Sequence, residues 1–299
     1  MPEHTDDEIA SVHRHAAELG VGLDPAAVRR VELDGGDVRV SGLSWGGDDP
    51  KVILLHGGGQ NAHTWDRMLL TGTGPALALD LPGHGRSGWY PTPDYRPRRM
   101  AASLATAIGS LPAVPRVVVG MSLGGLAALA LAAAHPDLAR GLVLVDITPG
   151  NRPGRAGDLA TLAETEVFAD FEALLRHTRR YLPTASDASL ERSLRYNAVR
   201  RDDGSYAWRA DPRRWEDGRT QTERLFDEMA SLWSEVALLQ CPTTLVVAGD
   251  SPIVTVEDRQ RMLRSNRRVR SVEIPRCGHN VQSDRPEALA AEVSCLLDT

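Results

Sequence analysis

The clearest sign of a reactive residue in this sequence is a serine flanked by glycines. Residues 120–125 have the sequence Gly-Met-Ser-Leu-Gly-Gly, which fits the pattern G-x-S-x-G around Ser122. A β-branched apolar run precedes the motif and a run of alanine and leucine follows it, so Ser122 is expected at a sharp turn from a strand into a helix. Small residues relieve the crowding of such a turn, and the helix N-terminus favours negative charge beside the hydroxyl. The motif therefore predicts a nucleophilic serine.

A second glycine-rich segment, His-Gly-Gly-Gly at 56–59, directly follows an apolar run. Acyl transfer creates an oxyanion, which preorganised N–H donors stabilise, and glycines let the backbone approach it closely. We expect the backbone N–H groups of Leu123 and Gly58 to be these donors, with Gly59 as the weaker alternative. His56 is expected to fix the loop rather than to act as a base.

The base that activates Ser122 is expected from the second half of the chain. Of the nine histidines, His279 is the best placed, because it follows a predicted strand at 270–274 and precedes a predicted helix that begins near residue 286. Functional residues of open α/β sheets lie in such loops at the carboxyl ends of strands. His63, just past the glycine loop, is expected to line the substrate pocket.

Short apolar runs bounded by Gly, Pro or Asp predict the elements that position these residues. A hairpin at 27–33 and 37–45 is followed by predicted strands at 52–55, 76–81, 116–119, 142–145, 244–248 and 270–274. Helical patterns occupy 6–19, 98–111, 123–134, 256–265 and 286–297. Most of the strands are unbroken rather than alternating, which is typical of strands covered on both faces. The alternation of strands and helices predicts an α/β fold with a parallel sheet.

The stretch 149–232 departs from this alternation. It is rich in Arg, Asp and Glu and shows no strong strand, so a mainly helical insertion is expected there, between core segments 1–148 and 233–299. Trp208 and Trp215 are candidates for contact with a substrate. They serve equally well as core residues of the insertion.

The motifs H-G-G-G, D-L-P-G-H-G-R-S, G-M-S-L-G-G and G-H, in that order, resemble those of the α/β-hydrolase superfamily over nearly the whole chain. Residues 56–66, 142–146 and 278–284 are similar to those of mycobacterial α/β-hydrolase esterases. The resemblance implies an α/β-hydrolase fold: a mostly parallel, eight-stranded sheet flanked by helices, with a helical cap inserted after the sixth strand. It also implies an ester or related acyl bond as substrate and no cofactor.

The acid that orients the histidine has two candidates. Many family members carry it in a G-x-x-D-x-x-V-P pattern after the seventh strand, where this chain has Ser251 at the expected position and Asp250 one place early. Asp146 follows the predicted strand at 142–145, and some family members place the acid there. Either residue keeps the order Ser, Asp, His. We favour Asp146, with Asp250 as the alternative.

The sequence thus predicts a serine carboxylesterase that cleaves small to medium acyl esters through an acyl-serine intermediate. Hydrolysis of lactones, thioesters or carbon–carbon bonds on the same apparatus is one alternative. A non-catalytic ligand-binding or sensor protein on the same fold is another. The expected partner is a small-molecule ester, and no metal site is expected, because no His, Cys and carboxylate cluster has ligand spacing.

Composition limits the remaining possibilities. With 34 basic and 40 acidic residues, and no basic stripe, the chain is not expected to bind nucleic acid. Three scattered cysteines support neither a disulfide framework nor a metal site, and they favour a reducing cytoplasm. The acidic N-terminus is not typical of a signal peptide. Residues 117–134 are nearly all apolar, but their glycines predict a strand, a turn and a helix rather than a membrane span. A monomer or homodimer is expected.

Overall fold

The computed structural model describes residues 5–151, 167–181 and 187–298. The strands of these residues are β1 (Val28–Asp34), β2 (Arg39–Trp45), β3 (Val52–Leu55), β4 (Ala76–Leu79), β5 (Arg116–Met121), β6 (Ala139–Val145), β7 (Val167–Phe168), β8 (Ala198–Arg200), β9 (Tyr206–Trp208), β10 (Thr243–Ala248) and β11 (Val269–Ile274). The α-helices are α1 (Thr5–Glu18), α2 (Asp66–Leu69), α3 (Pro97–Gly109), α4 (Leu123–Ala134), α5 (Phe171–Tyr181), α6 (Asp187–Asn197), α7 (Gln221–Met229), α8 (Trp233–Leu238), α9 (Val256–Ser265), α10 (Val281–Asp284) and α11 (Pro286–Leu297).

The central sheet has eight strands in the order β1-β2-β4-β3-β5-β6-β10-β11. The β1–β2 hairpin and the β2–β4 pair are antiparallel, and the other pairs, from β4 to β11, are parallel. The unbroken apolar strands β3, β5 and β10 are buried along their whole length. The prediction of a mostly parallel, eight-stranded sheet is confirmed.

Two hydrophobic layers cover the faces of this sheet. Successive residues of β5 point to opposite layers: Val118 packs in one, and Val117 and Val119 pack in the other. The first layer includes Leu104 of α3, Leu131 of α4, Val236 of α8 and Met262 of α9. The second includes Val12 of α1, Met68 of α2 and Val293 of α11. The sheet is therefore held rigidly between helices, with its carboxyl edge free to carry loops.

The part of the chain from 149 to 232 contains strands that the sequence prediction missed. Besides α5, α6 and α7, it forms a three-stranded antiparallel sheet in the order β7-β9-β8. Strands of two or three residues are too short to show an alternating pattern, which explains the error. Phe168, Leu174, Leu194 and Ala198 form a small separate core that joins this sheet to α5 and α6. Residues 152–166 and 182–186 of the predicted insertion lie outside the described residues.

The apolar stretch at 117–134 divides as the sequence predicts. It contains β5 from its second residue onward, a turn at Ser122 and the whole of α4. Among the residues that the structure describes, no helix is both long enough and apolar enough to cross a membrane.

Candidate active site

Ser122 occupies the turn between β5 and α4 in a strained backbone conformation. Its φ of 52° and ψ of −118° lie where a non-glycine residue is rarely found. Such a conformation costs about 1–3 kcal/mol and persists only where the surrounding structure imposes it. The residue is partly exposed, whereas Met121 before it and Gly124 after it are buried. The turn thus holds the hydroxyl out from the edge of the sheet.

The glycines around Ser122 are required by close backbone contacts. A Cβ atom on Gly120 would lie 2.4 Å from the carbonyl oxygen of Gly124, and one on Gly124 would lie 2.3 Å from that of Leu55. A Cβ on Gly125 would lie 2.5 Å from Cγ2 of Ile147. A side chain at any of these three positions would force its neighbours to shift, so the glycines let the start of α4 pack directly against the ends of β3 and β5.

His279 and Asp146 form a hydrogen-bonded pair. Nδ1 of His279 lies 2.8 Å from Oδ2 of Asp146, whose side chain is fully buried. The other carboxylate oxygen accepts the backbone N–H of Ala248 at 3.1 Å, which fixes the plane of the carboxylate. Because a carboxylate accepts only, Nδ1 carries the proton of a neutral ring, and Nε2 is left with its lone pair. This is the tautomer that a general base requires.

The strand order explains how Ser122, Asp146 and His279 reach the same edge. Met121 pairs with Val145 across β5 and β6, so Ser122 and Asp146 leave neighbouring parallel strands side by side. The N–H of Ser122 donates to the carbonyl of Val145 at 3.3 Å. β11 lies two strands away from β6, on the far side of β10. The loop that carries His279 therefore crosses the end of β10 to meet Asp146.

The alternative acid, Asp250, lies elsewhere. It is exposed, and its backbone N–H donates to the carbonyl of Cys277 at 3.0 Å. Asp250 thus braces the histidine loop through its main chain. The structure brings Asp146, and not Asp250, to His279.

The glycine loop presents Gly58 toward the start of α4. A Cβ on Gly58 would lie 3.8 Å from Cδ2 of Leu123, and Gly58 itself is exposed. The N–H of the preceding Gly57 donates to Oε1 of Gln60 at 3.0 Å. Gly58 is therefore the first residue of the loop whose amide can serve an oxyanion. Leu123 begins α4, and the first N–H groups of a helix have no partner within the helix.

His56 holds the glycine loop from below. Its Nδ1–H donates to the carbonyl of Gly57 at 2.7 Å, and its Nε2 accepts the N–H of Leu81 at 2.9 Å. Burial, and after it the charge of His84, lower the pKa of His56 to about 3. The ring is neutral and fully engaged, which is a structural role.

His63 does not fit the predicted contact with substrate. Its side chain is only 4% exposed, with Nε2 2.8 Å from Glu8 and Nδ1 2.8 Å from Asp66. The ring stacks on Tyr196 of α6 with 3.7 Å between the ring centroids. Burial would lower the pKa of His63, but Asp66 and Glu8 outweigh it and raise the pKa to about 9. The motif indicated a loop near the pocket, but it gave no sign that α1 supplies a carboxylate to this ring.

These contacts belong to a buried charge cluster that the sequence did not reveal, formed by Glu8, Arg30, His63, Asp66 and Asp80. Arg30 pairs with Glu8 and lies 2.8 Å from Asp80. Burial would raise the pKa of Glu8, but the hydrogen bond from His63 and the charge of Arg30 lower it to about 2. The cluster joins α1, β1, the start of α2 and the segments that follow β3 and β4.

The two tryptophans proposed as substrate contacts have partners in the inserted segment. Trp208 meets Phe168 edge to face, with 5.6 Å between the ring centroids. Trp215 donates its Nε1–H to Gln221 at 3.3 Å, and the guanidinium of Arg224 lies 4.6 Å from the ring centroid. Trp208 thus packs against the small core of the insertion, as in the alternative prediction, whereas Trp215 lies against arginine side chains and joins none of the hydrophobic clusters of the described residues.

Residues 52–292 match the model of the alpha/beta hydrolase family. Esterase Rv0045c of Mycobacterium tuberculosis is 40% identical over 98% of this chain and 96% of its own length. A crystal structure of that esterase superposes with a TM-score of 0.80 at 39% identity and covers 98% of each chain. E-2-(acetamidomethylene)succinate hydrolase has a TM-score of 0.80 at 22% identity, covering 91% of this chain and 100% of the other, which shows a shared fold alone.

Proposed function

The chain belongs to the alpha/beta hydrolase family, and from this premise we propose that it is a carboxylesterase that cleaves small to medium acyl esters with Ser122 as nucleophile. The observation that carries the proposal is the pair formed by His279 and Asp146, at 2.8 Å, at the sheet edge where Ser122 is held at a φ of 52°. The similarity to an esterase over nearly the full length supports the same class of reaction.

In the proposed reaction, Oγ of Ser122 attacks the ester carbonyl while Nε2 of His279 takes the hydroxyl proton. Asp146 keeps the ring in the required tautomer and stabilises its positive charge. The tetrahedral intermediate collapses, His279 returns the proton to the leaving alkoxide, and an alcohol departs. Water, deprotonated by the same nitrogen, then hydrolyses the acyl-serine and restores the free enzyme.

The backbone N–H groups of Leu123 and Gly58 are proposed to bind the oxyanion. Each such donor contributes about 3–4 kcal/mol to transition-state stabilisation in comparable enzymes. The exposed Gly58 amide and the first turn of α4 supply them from two separate elements, which supports a cleft between the glycine loop and the helix.

The insertion at 149–232 is proposed to form the cap over this cleft and to select the substrate. Two contacts beside the glycine loop support this: Nδ2 of Asn61 donates to Oδ1 of Asn197 at 2.6 Å, and Tyr196 stacks on His63. A further anchor joins the hydroxyl of Tyr95 to Asp211 at 2.6 Å. Trp208 and Trp215 would stiffen this cap rather than touch the substrate.

A cytoplasmic monomer or homodimer that acts on a small-molecule ester is the proposed setting. The three free thiols, Cys241, Cys277 and Cys295, fit a reducing compartment. The acidic balance of charges supports a small-molecule partner rather than a nucleic acid.

A nitrophenyl ester series of increasing acyl length, together with a fluorophosphonate probe, tests the proposal. We expect turnover of the shorter esters and a single phosphonate adduct on the peptide that contains Ser122. Ser122→Ala should abolish both. A wild-type protein that binds the esters but shows neither turnover nor labelling would instead be a ligand-binding protein.

A further inference from the structure

A short chain of side-chain hydrogen bonds joins the glycine loop to the histidine loop. The N–H of Gly57 donates to Oε1 of Gln60 at 3.0 Å, and Nε2 of Gln60 donates to Oδ1 of Asn280 at 2.9 Å. Gln60 and Asn280 are 220 residues apart in the sequence, and both are partly buried. Gly57 precedes Gly58, and Asn280 follows His279. Each end of this series of hydrogen bonds therefore lies one residue from a group assigned to the reaction.

The chemistry of the partners fixes the direction of each bond. A backbone N–H can only donate, so the oxygen of the Gln60 amide must face Gly57 and its NH₂ group must face Asn280. Asn280 therefore presents its oxygen to Gln60. Nε2 of the fully buried Gln282 donates to Oγ1 of Thr64 at 3.1 Å and approaches the same Asn280 oxygen at 3.5 Å. The orientations of the Gln60 and Asn280 amides therefore both follow from the N–H of Gly57, which can only donate.

The Gln60–Asn280 bond joins two loops that follow distant strands of the sheet. The glycine loop follows β3 and the histidine loop follows β11, and three strands, β5, β6 and β10, lie between them in the sheet. Other contacts also hold each loop: the Nδ1–H of His56 donates to the carbonyl of Gly57, Asp284 accepts the N–H of Gly278 at 2.9 Å, and Asp146 holds His279. The Gln60–Asn280 bond connects the two loops directly.

We propose that Gln60 is a positioning residue that sets the distance between the oxyanion donor at Gly58 and the base at His279. The inference rests on the function proposed above. Catalytic groups must be held within about 0.5 Å of their productive geometry, and a displacement of about 1 Å can cost a hundredfold in rate. Loss of this bond removes the direct link between the glycine loop and Asn280, although the bond from Gln282 to Thr64 remains, and so lets Gly58 shift relative to His279. It weakens transition-state stabilisation and leaves ground-state binding of the ester nearly unchanged.

A double-mutant cycle with Gln60→Ala and Asn280→Ala tests the proposal. Each single variant should lower kcat by about tenfold to a hundredfold with KM within about threefold. Because both remove the same bond, the double variant should be no slower than the slower single variant. Affinity for a trifluoromethyl ketone, which forms a tetrahedral adduct with a reactive serine, should fall by the same factor as kcat.

Controls separate positioning from folding. Gln260→Ala, at an exposed position on α9, should leave kcat, KM and ketone affinity unchanged. Gln60→Met keeps the length of the side chain without its polar atoms, so it should lose kcat as Gln60→Ala does while retaining the wild-type Tm. Multiplicative losses in the double variant, or a kcat within twofold of wild type in Gln60→Met, would overturn the role of Gln60. An inactive, unlabelled wild-type protein would instead overturn the proposed function.

Discussion

Asp146 and His279 are 133 residues apart in the sequence, yet the carboxylate of one lies 2.8 Å from the ring of the other. Asp146 leaves β6 with a φ of 50°, close to that of Ser122 on the neighbouring strand. The residues that follow two adjacent strands thus both have a positive φ, and the histidine loop reaches one of them, Asp146. Close contacts of the neighbouring glycines hold the backbone of Ser122 in this conformation, and the buried carboxylate holds that of Asp146.

Gly124→Ala should damage the turn at Ser122, because the added methyl group would lie 2.3 Å from the carbonyl oxygen of Leu55. Overpacking of this kind costs about 1–3 kcal/mol of stability. Esterase activity should fall further than the Tm shift alone explains, since the helix start and the Leu123 amide must both move. Thermal unfolding and kcat measured on the same preparations check this.

Gly109→Ala, at the end of α3, is the matched control, since a Cβ there meets nothing within 4 Å. It should keep full activity and unfold at the same or a slightly higher temperature. Equal effects of the two substitutions would contradict the steric account of the turn.

Hydrolysis should slow as the pH falls, because a protonated His279 cannot accept the Ser122 proton. The two histidines nearest the glycine loop titrate elsewhere: burial, with the charge of His84, lowers the pKa of His56 to about 3, and Asp66 and Glu8, against burial, raise the pKa of His63 to about 9. The value of kcat/KM is therefore expected to fall toward acid pH. A rate that stays level down to about pH 4 would argue against an imidazole base.

Stability should also depend on pH through the buried charge cluster. The folded-state pKa of His63, about 9, exceeds the ordinary 6.5, so its contribution is complete below pH 6.5 and is lost as the pH rises through 9. The pKa of Glu8, about 2, is below the ordinary 4.5, so its contribution is present above pH 4.5 and is lost as the pH falls toward 2. Tm should therefore be highest between pH 4.5 and 6.5.

His63→Gln isolates the alkaline part of this dependence. Removing one partner of a buried ion pair costs about 3–5 kcal/mol, and the variant should lose that stability near neutral pH while its Tm changes little between neutral and alkaline pH. His135→Gln, at the end of α4, should retain the wild-type decline. If the Tm of His63→Gln fell at alkaline pH as much as that of the wild type, His63 would not be the source of the alkaline decline.

The sequence predicted those parts of the molecule that depend on local pattern. The apolar runs of β3, β5 and β10, with the glycines that follow β3 and β5, were sufficient to place Ser122 and Gly58 on loops at one edge of a parallel sheet. β7, β8 and β9 are too short to produce a period and were missed.

Contacts between distant segments were the other part that could not be foreseen. Glu8 reaches His63 from a helix that precedes the sheet, and Gln60 meets Asn280 from the opposite end of the chain. Both contacts depend on how helices and loops pack in three dimensions, and no local pattern in the sequence predicts that packing. The choice between Asp146 and Asp250 was of the same kind, because it depends on the path of the histidine loop over β10.

Turnover of a nitrophenyl ester by Asp146→Asn and Asp250→Asn, measured side by side at neutral pH, tests the central claim most directly. An asparagine at 146 can present its NH₂ group to Nδ1 and favour the wrong tautomer of His279, so kcat should fall by about four orders of magnitude. Asp250→Asn should stay within about tenfold of wild type, since its contact with the histidine loop is made by the backbone. A large loss in Asp250→Asn with Asp146→Asn still active would contradict the assignment of His279 and Asp146 as the pair that activates Ser122.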